Sequence, residues 1–99
     1  MAAVAYQNDI GTIIEVNTQS DLTDAVSLEL LIKKPSGTIL TKTAYIPVGL
    51  SASDGIIAYA TVDGDLDEIG KHYVQAHIEG ASTDHLGNTA NFEVKGPFE

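Results

Sequence analysis

The chain contains no cysteine, no tryptophan and no arginine, and only 3 of its 99 residues are proline. Without cysteine there is no disulfide framework, no thiolate nucleophile and no cysteine-based zinc site, so the core must hold by packing alone or borrow from a partner. Without tryptophan, a platform for stacking sugar rings would have to come from the 4 tyrosines. The basic side chains are 5 lysines set against 14 acids, which gives a net charge of -9. That is the wrong sign for a phosphate backbone or an anionic bilayer surface, so nucleic acid and membrane are excluded as expected partners. No apolar run approaches the roughly 18 residues that span a bilayer. The opening MAAVAYQNDI lacks the basic start and apolar stretch of a secretory leader, so Met1 is expected to begin the mature chain.

What is present is alternation. Ile10, Thr12, Ile14 and Val16 share one side of a segment whose other side carries Gly11, Ile13, Glu15 and Asn17, the period of a strand with one better buried face. Val26, Leu28, Leu30 and Ile32 alternate with Ser27, Glu29, Leu31 and Lys33, and Pro35-Ser36-Gly37 then reverses the chain into a strand from Thr38 to about Tyr45. Ile56 to Val62 resumes the pattern, Asp63 to Gly70 reads as a turn-rich corner, and Tyr73 to Glu79 alternates again. Gly80 to Asn88 reads as loop, and Asn91 to Lys95 closes the chain with Phe92 and Val94 inward. Short strands at a spacing of roughly 8 to 12 residues, with no convincing helix, predict an all-β antiparallel sandwich of about seven strands, with a small barrel as the alternative. Its expected core is Val26, Leu28, Leu30, Ile32, Val74, Ala76, Ile78, Phe92 and Val94. A single domain over residues 1–99 is expected, with residues 1–7 as an edge strand, in the chain's own sheet or a neighbour's, or as a docking arm.

The order of these features carries a resemblance. Ile10-Gly11 leads the first long strand, Leu22 precedes a Val-x-Leu-x-Leu strand, and Lys34-Pro35-Ser36-Gly37-Thr38 follows. Then come Gly55-x-x-x-Tyr59, the Leu66-x-x-Ile69-Gly70-Lys71-His72-Tyr73-Val74-Gln75-Ala76 corner and Phe92-Glu93-Val94. Over about residues 8 to 95 the chain resembles the immunoglobulin-like domain of bacteriophage tail and baseplate proteins, and is similar to the N-terminal domain of the baseplate upper protein family. Gly70 followed by Tyr73 resembles the tyrosine corner of immunoglobulin sandwiches, though its spacing departs from glycine-x-tyrosine. The resemblance implies an immunoglobulin-like fold and a non-enzymatic structural role in a virion, as a decoration or cement protein on the capsid or as part of the tail or baseplate. It also implies capsid, tail or baseplate proteins as partners. Apolar residues on outer faces add the expectation of a homo-oligomer or of multiple copies in the particle.

Chemistry-bearing constellations are few. Asp63, Asp65 and Asp67 alternate as calcium ligands do, but Glu68 occupies the glycine position of an EF-hand loop and Val74 its terminal glutamate position. A solvated acidic turn is the ordinary reading, so no metal or other cofactor is expected. His72 and His77 have opposite parity in one strand and should project from opposite faces, which argues against a joint zinc site with His85. There is no Gly-x-Ser-x-Gly elbow and no phosphate-binding glycine loop, so no catalytic residue is expected. Ile13, Leu31 and Ile57 sit on nominally outer faces and, with Val4, Tyr6 and Tyr45, are the expected interface residues. A receptor- or glycan-binding adhesion module is the competing expectation.

Overall fold

The computed structural model describes residues 4–98, the side chains of Val4 and Asn88 excepted, so Met1, Ala2 and Ala3 of the expected arm lie outside the described residues. Among the described residues seven strands follow one another: β1 (Val4–Tyr6), β2 (Ile13–Asn17), β3 (Ala25–Lys33), β4 (Ile39–Thr43), β5 (Ile56–Ala60), β6 (Gly70–Gly80) and β7 (Asp84–Lys95). One sheet has the order β1-β7-β6-β3-β4, and the other pairs β2 with β5. All pairings are antiparallel except β1 with β7, which is parallel. The architecture is the all-β sandwich that the alternation predicts, and it is immunoglobulin-like as the resemblance implies.

The two sheets bury one cluster between them. Leu30 and Ile32 from β3, Val74, Ala76 and Ile78 from β6, and Phe92 and Val94 from β7 join Ile14, Val16, Ile57 and Tyr59, with Leu22 and Leu66 contributed by loops. Each large aliphatic side chain withdrawn from water contributes about 1.5–3 kcal/mol, so the period-two pattern supplies most of what opposes chain entropy. The small sheet also closes onto the large one's edge: Tyr45 and Ala58 exchange main-chain hydrogen bonds at 2.9 and 2.7 Å just beyond β4.

The Pro35-Ser36-Gly37 reversal forms as expected, with Lys34 N–H donating to the Thr38 carbonyl and Gly37 at φ 98°. The hairpin is also pinned to the acidic corner. Lys34 Nζ, itself buried, donates to the Gly64 carbonyl at 2.8 Å and to Asp67 at 2.7 Å, while Ser36 donates through both N–H and hydroxyl to Glu68. Gly55 ends the short 3-10 turn at Ala52–Asp54 with φ 77°, and a Cβ there would stand 2.4 Å from the Ser20 carbonyl oxygen. Only glycine permits both that dihedral and that approach.

Three expectations require correction. Val26 is exposed, not core, because a bulge between the Ala25 and Ser27 pairings shifts the start of β3, and Ala25 packs against the core instead. Gly80 to Asn88 is not all loop: the Gly80 N–H donates to the Thr83 carbonyl across a tight turn, and β7 already begins at Asp84. Tyr73 makes no tyrosine corner, since it stands 43% exposed on an outer face. The buried tyrosine is Tyr59.

Candidate functional site

The outer face of the large sheet follows from register. Across its strands Thr43 stands opposite Glu29, Glu29 opposite His77, and His77 opposite Leu86, while Glu79 faces Asp84. One step along, Thr41, Leu31, Gln75 and Thr89 align, followed by Ile39, Lys33, Tyr73 and Asn91. A bulge in β7 between the Gln75 and His77 pairings brings Leu86 to this face, and the Gln75 amide donates to the Gly87 carbonyl there at 2.9 Å. The face therefore has an acidic end gathered around one imidazole, and a middle where Leu31, Ile39, Tyr73 and Leu86 meet solvent in part.

At the acidic end, His77 Nδ1 lies 2.8 Å from Glu29 Oε1 and its Nε2 lies 2.5 Å from Asp84 Oδ1. The hydrogen bonds with Glu29 and then Asp84 hold the imidazole pKa above its ordinary value. One ligand atom from each of Glu29, His77 and Glu79 lies within 4.8 Å of the others, and all three side chains are half-buried. Sequence reasoning missed this group. His77 and Glu79 share parity within one strand, but placing Glu29 beside them requires the pairing of β3 with β6.

The second feature is an open seam between the sheets. Among the described residues, the edge of β2 away from β5 pairs with no strand, and β1 covers β7 only from Glu93 to Lys95. Between these edges runs a cleft lined by Ile13, Glu15, Asn17, Ile56, Thr89 and Ala90. Ile13 is 48% exposed at its mouth.

The expected interface residues do not converge. Ile13 lies at the seam, Leu31 is half-buried on the outer face, and Tyr6 and Tyr45 are each 43% exposed elsewhere. Val4 pairs with Glu93 through its backbone, and its side chain lies outside the description. Ile57 is not an interface residue: at 1% exposure it belongs to the core, because β5 turns Ile57 and Tyr59 inward while Ala58 is covered at the bridge to Tyr45. The β1 arm is likewise engaged with the chain's own β7.

Asp63, Asp65 and Asp67 do not gather around a common point. Asp65 turns inward, where it accepts from the Tyr59 hydroxyl and the Val62 N–H and pairs with Lys42 at 3.1 Å. Asp67 turns to Lys34, whose hydrogen bond holds its pKa below the usual carboxylate range, and Asp63 is exposed. The two strand histidines do project oppositely, as parity predicts. His72 is fully buried and stacked on Phe92 with ring centroids 5.3 Å apart.

No protein family matches the chain, and no curated protein matches it. The crystal structure of CopC from Methylosinus trichosporium OB3b is similar, with a TM-score of 0.61 at 9% identity, over 99% of this chain and 87% of that one. That likeness is one of fold. It accords with an immunoglobulin-like sandwich and leaves the side chains to argue function.

Proposed function

We propose that this chain is a non-enzymatic structural module of a bacteriophage particle, docking on a capsid, tail or baseplate lattice through its free strand edges. The virion assignment comes from the sequence resemblance. The observation that carries the docking mode is the seam, where two strand edges without a strand partner among the described residues flank a cleft with Ile13 exposed at its mouth. A free edge presents a row of main-chain donors and acceptors that an extended segment of a partner satisfies, with pockets for alternate side chains adding specificity. The charge of -9 opposes packing against like surfaces, so the partner surface should be apolar, lysine-rich or cation-bearing.

The test separates docking from folding. In the ladder with β5, Thr18 N–H points to Gly55, so by alternation the N–H of Glu15 points to the free edge. Ile13→Asp and Glu15→Pro should leave the isolated domain folded by circular dichroism and remove it from purified particles. Normal copy number of both variants, or absence of the wild-type chain from particles, overturns the proposal. A glycan-binding module is the second reading, favoured by the half-exposed Tyr73 ring in a shallow groove with Leu31, Lys33, Ile39, Gln75 and Thr89. Glycan-array binding abolished by Tyr73→Ala would select it.

A further inference from the structure

The acidic end of the outer face gathers Glu29, Glu79 and Asp84 around the His77 imidazole. His77 faces Glu29 through Nδ1 and Asp84 through Nε2, and carboxylates accept hydrogen bonds only. A neutral imidazole has one N–H, so one of its two contacts then lacks a proton. The arrangement is complete in two states: an imidazolium that donates to both carboxylates, or an imidazole whose Nδ1 lone pair is taken by a cation while Nε2–H donates to Asp84. In the second state Asp84 has the role of a carboxylate that orients a metal-bound histidine and raises its basicity.

We infer that Glu29, His77 and Glu79 form a binding site for a divalent transition-metal ion of the zinc class, with Asp84 as the positioning residue behind the imidazole. One nitrogen and two carboxylate oxygens are a borderline donor set, better matched to zinc than to the all-oxygen shells of calcium or magnesium. Their reach is suitable. Bonds of about 2.0–2.2 Å place tetrahedral donors roughly 3.3–3.6 Å apart, and the three ligand atoms already lie within 4.8 Å of one another. Adjustment of side-chain torsions closes the difference. The backbone is suited to hold such a site, because Glu29 and His77 are register partners on adjacent strands and Glu79 follows His77 by two residues on the same face. Half-burial leaves the remaining position of the metal open to water or to a donor from outside.

This differs from the calcium reading of the 63–67 corner in ligands, metal class and location. It does not rest on the docking proposal, whose test concerns β2. Zinc chloride should be titrated into the full chain at mildly alkaline pH, with histidine ring nitrogen shifts followed by NMR. Saturable one-to-one loading is expected, with His77 Nδ1 shifting and His72 and His85 unmoved. His77→Gln should abolish loading, Glu79→Gln should weaken it at least tenfold, and Asp84→Asn should weaken it by about 10–100-fold. Each variant should remain folded by circular dichroism, since these side chains lie outside the core. Acidification should release the metal, because the proton and the metal compete for Nδ1. No saturable shift at millimolar zinc, loading that survives His77→Gln, or a shift of His85 in place of His77 overturns the assignment.

Discussion

The Tyr59 hydroxyl donates to the buried carboxylate of Asp65 at 2.5 Å, and this contact ties the small sheet to the turn that follows it. Both side chains are buried, and Lys42 reaches across the Tyr59 ring, 6.0 Å from its centroid, to complete the group. Burial by itself raises the Asp65 pKa, but hydrogen bonds from Tyr59, the Val62 N–H and Lys42 outweigh it and bring the net value below 3.8. Tyr59 is pushed upward, first by burial and then by the hydrogen bond and charge of Asp65, and so stays protonated. Tyr59→Phe should cost about 1.5–3 kcal/mol, the range for a hydrogen bond to a charged group. Asp65→Ala should cost about 2–4 kcal/mol, below the upper range for a broken buried pair because Lys42 can reach water. A lowered folded-state pKa stabilises above the unfolded value and is lost as pH falls through the folded one. Urea midpoints measured from pH 5 to pH 2, the span about these carboxylate values, should therefore decline less steeply in Asp65→Ala than in the wild type.

The two strand histidines should act in opposite directions on stability. Burial of His72 against Phe92 holds its pKa below 6.5, although the Gly70 carbonyl opposes this by accepting from Nδ1 at 3.2 Å. Its contribution is present above 6.5 and lost as pH falls toward the folded value. His77, with its pKa raised by Glu29 and Asp84, contributes below 6.5 and loses that contribution as pH rises through its folded value. The Nε2 of His72 is buried without a hydrogen-bond partner, so His72→Phe should be neutral or stabilising while keeping the stack. Thermal melts of that variant should show stability falling as pH climbs past 6.5, the trace of His77 alone. A variant still destabilised toward acid in that interval would assign the effect elsewhere.

Leu30 and Val26 test the register of β3. Leu30 is 1% exposed and Val26 is 71% exposed, although strict alternation gives them the same face. Leu30→Ala should cost about 2–5 kcal/mol. Val26→Ala should stay within about 0.5 kcal/mol. Equal losses at the two positions, read from denaturant midpoints, would mean that the bulge between Ala25 and Ser27 is absent in solution.

The contrast between these two residues also shows what local sequence carries. Period two identifies β3, β6 and the end of β7, because each has one face in the core and one in water. It cannot place a bulge, which depends on what the partner strand opposes, and so it misassigns Val26. The start of β7 is concealed by polar residues such as Asp84 and Thr89, which suit an outer face as readily as a loop. Ile57 is misplaced because β5 is covered on both sides, so parity no longer distinguishes core from surface. Asp65 is hidden within an acidic run, and only Tyr59 and Lys42, distant in sequence from one another, explain its burial. The Glu29–His77–Glu79 group depends on strand register and cannot be seen by spacing alone.

The last prediction concerns β1, where cis pairing changes how docking can be probed. Val4, Ala5 and Tyr6 pair in parallel with Glu93, Val94 and Lys95, and Gln7 N–H continues the ladder to the Lys95 carbonyl at 2.8 Å. Ala5 is 3% exposed and belongs to the core cluster. An arm held in this way is part of the fold, so its removal should act on stability before it acts on any partner. Deleting residues 1–7 should cost about 2–4 kcal/mol, with ladder hydrogen bonds contributing about 1 kcal/mol each and the surface beneath Ala5 returned to water. Hydrogen exchange should show the Lys95 amide, which alternation points toward β1, losing protection in the truncated chain while the β3–β6 ladder keeps it. If truncation instead leaves both the midpoint and the exchange of β7 unchanged, β1 is not held by its own sheet in solution. Its strand-forming edge would then be available to a neighbour, and the arm would replace the β2 seam as the first surface to test for docking.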